Sequence, residues 1–254
     1  NSSISSTSGD IAISSTLNMG VSDISTTGNV TLTADSDGNN TGNVVESTVD
    51  AGAVDIVANL LTIDAATGVG TAGDAIETTV TSLDVTNDGG ASVDVNITES
   101  YDVSLVNNYR NTFATGSVTL TTTDGSISTG TATVSSSNGT INLTANDTTA
   151  DANATPAFIT IGTGNVASSG GDINIRAADD ITLTGTINAT GGAVEIDAGS
   201  ALATEGSVDT DGAITGNGLI TAGNLTLFAD ENIGVGSGNR IMTAVTNLEA
   251  IGAR

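Results

Sequence analysis

The chain contains no cysteine, histidine, lysine or tryptophan, a single proline (Pro156), two tyrosines and three phenylalanines in 254 residues. Without cysteine there is no disulfide and no thiol chemistry. Without histidine or lysine there is no imidazole acid or base, no Ser–His nucleophile, no Schiff-base lysine and no histidine-ligated metal. The scarcity of aromatics means that the core must be built from Val, Ile, Leu and Ala, which suits a thin, regularly layered interior. Positive charge is almost missing too: four arginines (Arg110, Arg176, Arg240, Arg254) face 29 acidic residues, for a net charge of −25. That balance excludes the basic footprint of a nucleic-acid partner or an anionic lipid surface. No apolar run approaches the roughly 18 residues of a spanning segment, so no membrane insertion is expected. The chain opens at Asn1 without a leader, as a piece of a longer or processed chain would.

What is present is strand signal. The acids are scattered singly and the hydrophobic fraction is 37%, arranged periodically, so charge-driven disorder does not follow. Apolar residues alternate with Thr, Ser, Asp or Asn, as at Val30/Leu32, Leu61/Ile63, Val118/Leu120, Ile141/Leu143 and Ile173/Ile175, the period of a strand with one buried face. Gly stands two residues before the first apolar position in Gly28-Asn-Val30, Gly116-Ser-Val118, Gly139-Thr-Ile141, Gly171-Asp-Ile173 and Gly192-Ala-Val194, a turn followed by a strand. Gly171 and Gly192 stand about 21 residues apart and bracket three short strand groups; Gly116 and Gly139, at about the same separation, do likewise. The spacing predicts an all-β parallel β-helix (β-solenoid) with triangular coils of about 21 residues, about 12 coils over residues 1–254. A sandwich would need longer strands and aromatic anchors.

A longer repeat overlies the short one. The stretch "GVGTAGDAIETTVTSLDV" (Gly68–Val85) matches "GVGSGNRIMTAVTNLEAI" (Gly234–Ile251) at an offset of about 165 residues, and "SGDIAI" (Ser8–Ile13) matches "GGDINI" (Gly170–Ile175) at nearly the same offset. The chain thus reads as one continuous segment, 1–254, of about one and a half copies of a unit of about 165 residues, with the copy boundary near 84–85. The segment "RIMTAVTNLEAI" also fits a helical period, but its earlier copy is rich in β-branched residues, which favours strands. "TESYDVSLVNNYRNTF" (Thr98–Phe113) is expected to include a longer loop before Val118, and "TANDTTADANATPAF" (Thr144–Phe158), polar and holding the single proline, another excursion.

The Gly-x-[Val/Ile]-x-[Leu/Ile] coils, the phrases "ITES", "DVSL" and "DITLTGTINATGG", and the segment "IGVGSGNRIMTAVTNLEA" together resemble the repeats of filamentous-haemagglutinin-like exoproteins, large bacterial surface or secreted proteins of the two-partner-secretion and autotransporter type. The resemblance implies a right-handed parallel β-helix, an extracellular or bacterial cell-surface location, and a role in adhesion to a host or neighbouring-cell surface. The family's amino-terminal secretion domain is not recognisable in this sequence.

Candidate chemistry is sparse. Carboxylate pairs in "RAADD" (Arg176–Asp180) and "VDTDG" (Val208–Gly212) resemble the paired aspartates of β-helical polygalacturonases, but in reversed order and without the supporting histidine and basic residues. Arg176 beside Asp179 and Asp180 reads as an ion pair at a corner. "DSDGNN" and "DTDG" share Asp-x-Asp-Gly, so Asp35, Asp37, Asp209 and Asp211 are the weak calcium candidates; neither stretch has a complete calcium-loop motif, and Asp and Gly are ordinary turn residues. Twenty-two Asp against seven Glu agrees with a turn role. No catalytic residue and no cofactor are expected. A solenoid terminus exposes unpaired backbone and an apolar cross-section, and neither Asn1–Gly9 nor Ala250–Arg254 resembles a cap. The reading is therefore a structural, non-enzymatic segment of an extracellular fibre or adhesin, with a filament subunit that associates end to end as the alternative and a carbohydrate-active enzyme as the remote one.

Overall fold

In the computed structural model, which describes residues 3–47, 52–89, 93–148, 157–199, 212–236 and 238–252, the alternating segments are strands, and no described residue lies in a helix. Twenty of the strands join one large parallel sheet. The chain is a parallel β-solenoid: it visits three faces in turn and lays each coil on the one before.

Face 1 stacks Ile11, Val30, Leu61 and Leu83 in register. After a register shift between Leu105 and Tyr109, it continues through Tyr109, Val134, Val166, Ile187 and Ile220 to the strand Met242–Ile251. Face 2 stacks Val95, Val118, Ile141, Ile173, Val194, Leu225 and Leu248. Face 3 stacks Val103, Ile127, Ile159, Ile181 and Ile214. Each column is built of Ile, Val and Leu, with Tyr109 the exception, because parallel in-register stacking sets equivalent residues directly over one another, about 4.8 Å apart. Val30, Ile141, Ile173 and Ile181 have no exposed surface, and their Thr, Asn or Arg neighbours along the strand point outward, which is the alternation read from the sequence.

The coils are not equal in length. Along face 1 the step from Ile11 to Val30 is short, and the step from Ile187 to Ile220 is more than half as long again. Most of the extra length enters at one corner, with a further addition between faces 1 and 2, where Ala34 to Val44 is longer than Ser15 to Met19. Between the face 2 and face 3 strands, Ala177 and Ile181 are nearly adjacent, whereas Glu46 to Ile56, Ala145 to Ile159 and Ala198 to Ile214 hold the long connections. The strands themselves keep the short rhythm, so the added residues do not disturb the columns.

The corners explain the glycines and the aspartates. A Cβ on Gly139 would lie 2.1 Å from the carbonyl oxygen of Gly116, one on Gly171 2.2 Å from that of Gly139, and one on Gly192 2.3 Å from that of Gly171. Glycine recurs there because each coil's backbone passes directly over the glycine beneath. Hydroxyls complete the turn: Ser136 Oγ donates to the Gly116 carbonyl at 2.8 Å and accepts the Gly139 N–H at 2.8 Å, and Ser168 repeats this one coil on with Gly139 and Gly171 at 2.9 Å each. Aspartates sit one residue before the first core position of a strand. There the Asp10, Asp94, Asp102, Asp172 and Asp180 carboxylates accept the N–H of Asn29, Ser117, Ser126, Ala193 and Ala213, at 2.7 to 2.8 Å. Each donor is the residue at the same place in the next coil. These bonds satisfy backbone N–H groups at corners, where no ladder carbonyl is in line.

Thr98–Phe113 is mostly strand, Val95–Glu99 followed by Val103–Asn111, and the loop expected before Val118 is confined to residues 112–117. Tyr109 is fully buried in the face 1 column, with its hydroxyl donating to the Thr119 carbonyl at 2.8 Å. An aromatic ring fits an otherwise aliphatic core because its one polar atom finds that partner. Of the second expected loop, residues 149–156 lie outside the described residues. The matching residues Leu83 and Leu248 occupy different faces, the first on face 1 over Leu61 and the second on face 2 over Leu225. The segment Met242–Ile251 is a strand, as its β-branched earlier copy suggests.

Candidate functional site

Asp35 and Asp37 lie in a turn that leaves face 1 after Ala34. Asp35 has φ +88°, Gly38 +69° and Asn40 +61°. The Asp35 oxygens accept the N–H groups of Asn39 at 2.8 Å and Asn40 at 3.0 Å, while Asp37 accepts the Asn39 side-chain amide at 2.9 Å. Both carboxylates are thus occupied within the turn they brace. Asp209 and Asp211 lie outside the described residues.

The "RAADD" stretch is split among separate tasks. Arg176 pairs with Glu195 of the next coil at 2.6 Å, across the outer surface of face 2, where both side chains are substantially exposed. Asp179 is buried and accepts the Ala157 N–H at 2.6 Å. Asp180 is one of the corner aspartates. The corner ion pair expected between Arg176 and Asp179 or Asp180 is replaced by one with Glu195, a diagonal neighbour on the same outward side of the ladder, because the corner turns Asp179 and Asp180 away.

Two arrangements were not legible from the sequence. In the first, Glu46, Asp55 and Glu77 bring one carboxylate oxygen each to within 4.8 Å of the others. Asp55 is 1% exposed and accepts the Glu77 N–H at 3.2 Å. Burial, reinforced by the neighbouring Asp55 charge, pushes the Glu77 carboxyl up to about 7, so near neutral pH Glu77 is partly protonated. Such a donor set is also of the kind that a hard cation takes. The only signal in the sequence is that Asp55 and Glu77 are one coil apart.

In the second, face 3 is interrupted. Ile24 stacks under Ile56 and Ile56 under Thr78, but Thr78 pairs next with Glu99 at the end of a face 2 strand. The upper part of face 3 starts afresh at Val103. The Glu99 carboxyl fills the break. It accepts the Thr78 hydroxyl at 2.6 Å, the Val80 N–H at 3.1 and 3.2 Å, and the Tyr101 N–H at 3.3 Å. Val80 and Tyr101 thereby bond a side chain where a ladder would supply carbonyls. Glu99 has no exposed surface, and desolvation pushes its carboxyl up to about 7 against those stabilising donors. Over this break opens a groove of about 500 Å³, lined by Val57, Asn59, Thr79, Tyr101, Asp102 and Asp124 among others. A smaller recess of about 270 Å³ shares Thr81 and Asp102 with it and runs on toward Ser126 and Ser128. Tyr101 is 58% exposed at its edge.

The fold and these sites define a parallel β-solenoid whose acids mostly close turns. Comparison of the chain with family models, with curated proteins and with solved structures found no match.

Proposed function

We propose that the chain is a structural, non-enzymatic segment of an extracellular bacterial fibre or adhesin of the filamentous-haemagglutinin-like kind, serving extension and attachment to a host or neighbouring cell. The observation that carries this reading is the column structure. Core side chains, aliphatic apart from Tyr109, stack coil on coil along face 1 from Ile11 to Ile220 with one register shift between Leu105 and Tyr109, and the corner glycines and aspartates repeat the same bonds coil after coil. Such a core grows in one dimension, because each coil contacts only its neighbours. The carboxylates that remain from an enzyme reading, Asp179 and Asp180, spend oxygens on backbone N–H groups, and a chain without histidine or lysine has few other proton-transfer groups. Net charge of −25 keeps parallel shafts from associating sideways.

The test is antibody labelling of intact cells that make the protein, paired with electron microscopy of the labelled material. Surface label on thin rods is the expected result; label found only after lysis contradicts the reading. A second reading, a filament subunit joined end to end, rests on the same one-dimensional stacking, in which one coil can carry another of like register. Sedimentation at rising concentration separates the two: particles that lengthen support the subunit, and a constant rod supports the segment.

A further inference from the structure

The groove over the interruption in face 3 has a composition that the rest of the described surface lacks. Elsewhere the outward positions of the strands are mostly Thr, Ser, Asn and charged side chains. Here the shift from Thr78 to Glu99 makes a concavity instead. Its floor is apolar, from Val57, Ala58 and Val80, and its walls carry the Thr79 and Thr81 hydroxyls, the Asn59 amide and the Asp102 carboxylate. Tyr101, the most exposed aromatic residue among those described, stands at the rim. The chain holds only five aromatic residues, and its other tyrosine is spent in the core.

We propose that this groove binds a neutral oligosaccharide, laid along the solenoid axis with a sugar face against the Tyr101 ring. A pyranose offers an apolar C–H face and a rim of hydroxyls; the groove offers an aromatic plane and apolar floor bordered by hydroxyl, amide and carboxylate groups. The charge selects the class. Asp102 and Asp124 line the groove on a chain of net charge −25, so uronate, sialylated and sulfated chains are repelled. The length suits a chain ligand. The groove and its adjoining recess span five coils, from Thr26 to Ser126, roughly 20 Å at the strand spacing, with hydroxyl-bearing residues repeated along it. Glu99, buried beneath, holds Val80 and Tyr101 by their N–H groups and is a positioning residue for the rim.

The proposal rests on the attachment part of the reading above, but the two fail separately: surface labelling tests location, and binding tests the groove. The chain has no tryptophan and two tyrosines, of which Tyr109 is buried, so iodide quenching of tyrosine emission reports Tyr101. Maltohexaose, cellohexaose and N-acetylchitohexaose serve as neutral probes and hexagalacturonate as the acidic one, with titration calorimetry as a second readout. The expected result is that at least one neutral hexamer shields Tyr101 from iodide and binds, that Tyr101→Ala weakens this binding about tenfold or more with an unchanged melting temperature, and that hexagalacturonate binds more weakly. No binding by any neutral hexamer at roughly 10 mM, binding undiminished in Tyr101→Ala, or equal binding of hexagalacturonate would each overturn the proposal.

Discussion

Glu99 concentrates a pH dependence in one carboxyl. Its value of about 7 in the fold lies above the ordinary 4.5. Between those limits the unfolded chain releases the proton while the folded chain keeps it. The contribution of Glu99 to stability is therefore fully present below about 4.5, is lost through the window and is gone above about 7, a total on the order of 3 kcal/mol. Glu77, also held at about 7, adds a dependence of the same sign. Glu99→Gln keeps an acceptor for Thr78 and Val80 but cannot ionise, so its melting temperature should drop less than the parent's between pH 5 and pH 8. An unchanged pH slope would show that Glu99 is not the source. At the corners the test is steric. Gly139→Ala drives a methyl into the Gly116 carbonyl and should cost about 2–3 kcal/mol, measured by denaturant unfolding. Gly73, where an added methyl would meet no atom within 4 Å, should accept Ala at little cost; equal losses at both sites would remove the argument for a stacked glycine column. Asp94→Ala, which leaves the Ser117 N–H without its 2.8 Å acceptor, should cost about 1 kcal/mol.

Among the elements, the strands were legible because one face of each is buried. The alternation in Val118–Thr122, Ile141–Ala145 and Ile173–Ala177 is the burial pattern itself. Glycine two residues before the strand was legible for a related reason, since a close backbone crossing admits no other residue. The break in face 3 was not. The sequences of Ile76–Asn87 and Val95–Glu99 alternate much as the other strands do, and the step from Thr78 to Glu99 is a matter of which coil lies beside which, a long-range register that local periodicity does not encode. Tyr109 was hidden likewise: an aromatic beside Arg110 and two asparagines looks like a loop, and only the Thr119 carbonyl that its hydroxyl reaches makes the site a core position. The carboxylates of Asp35, Asp179 and Asp180 looked like candidate ligands or catalysts because a sequence shows the acid but not the N–H it bonds. The Tyr101 groove, built across five coils, had no contiguous signal at all.

For the whole molecule, the account stands on coils that stack along one axis, and the absence of native cysteine makes that directly measurable. Thr119, Asn142, Asn174, Glu195 and Thr226 occupy one outward column of face 2, each paired with the next. Cysteine pairs with Thr119 as the fixed partner, spin-labelled and measured by double electron–electron resonance, should give backbone separations that rise by about 4.8 Å per coil, reaching roughly 19 Å at Thr226. The increments should be equal although the stretch of chain between partners is uneven, short from Thr119 to Asn142 and from Asn174 to Glu195, long from Asn142 to Asn174 and from Glu195 to Thr226. Separations that track residue number, or that fail to increase from one partner to the next, would contradict the solenoid and with it the shaft on which the proposed function depends.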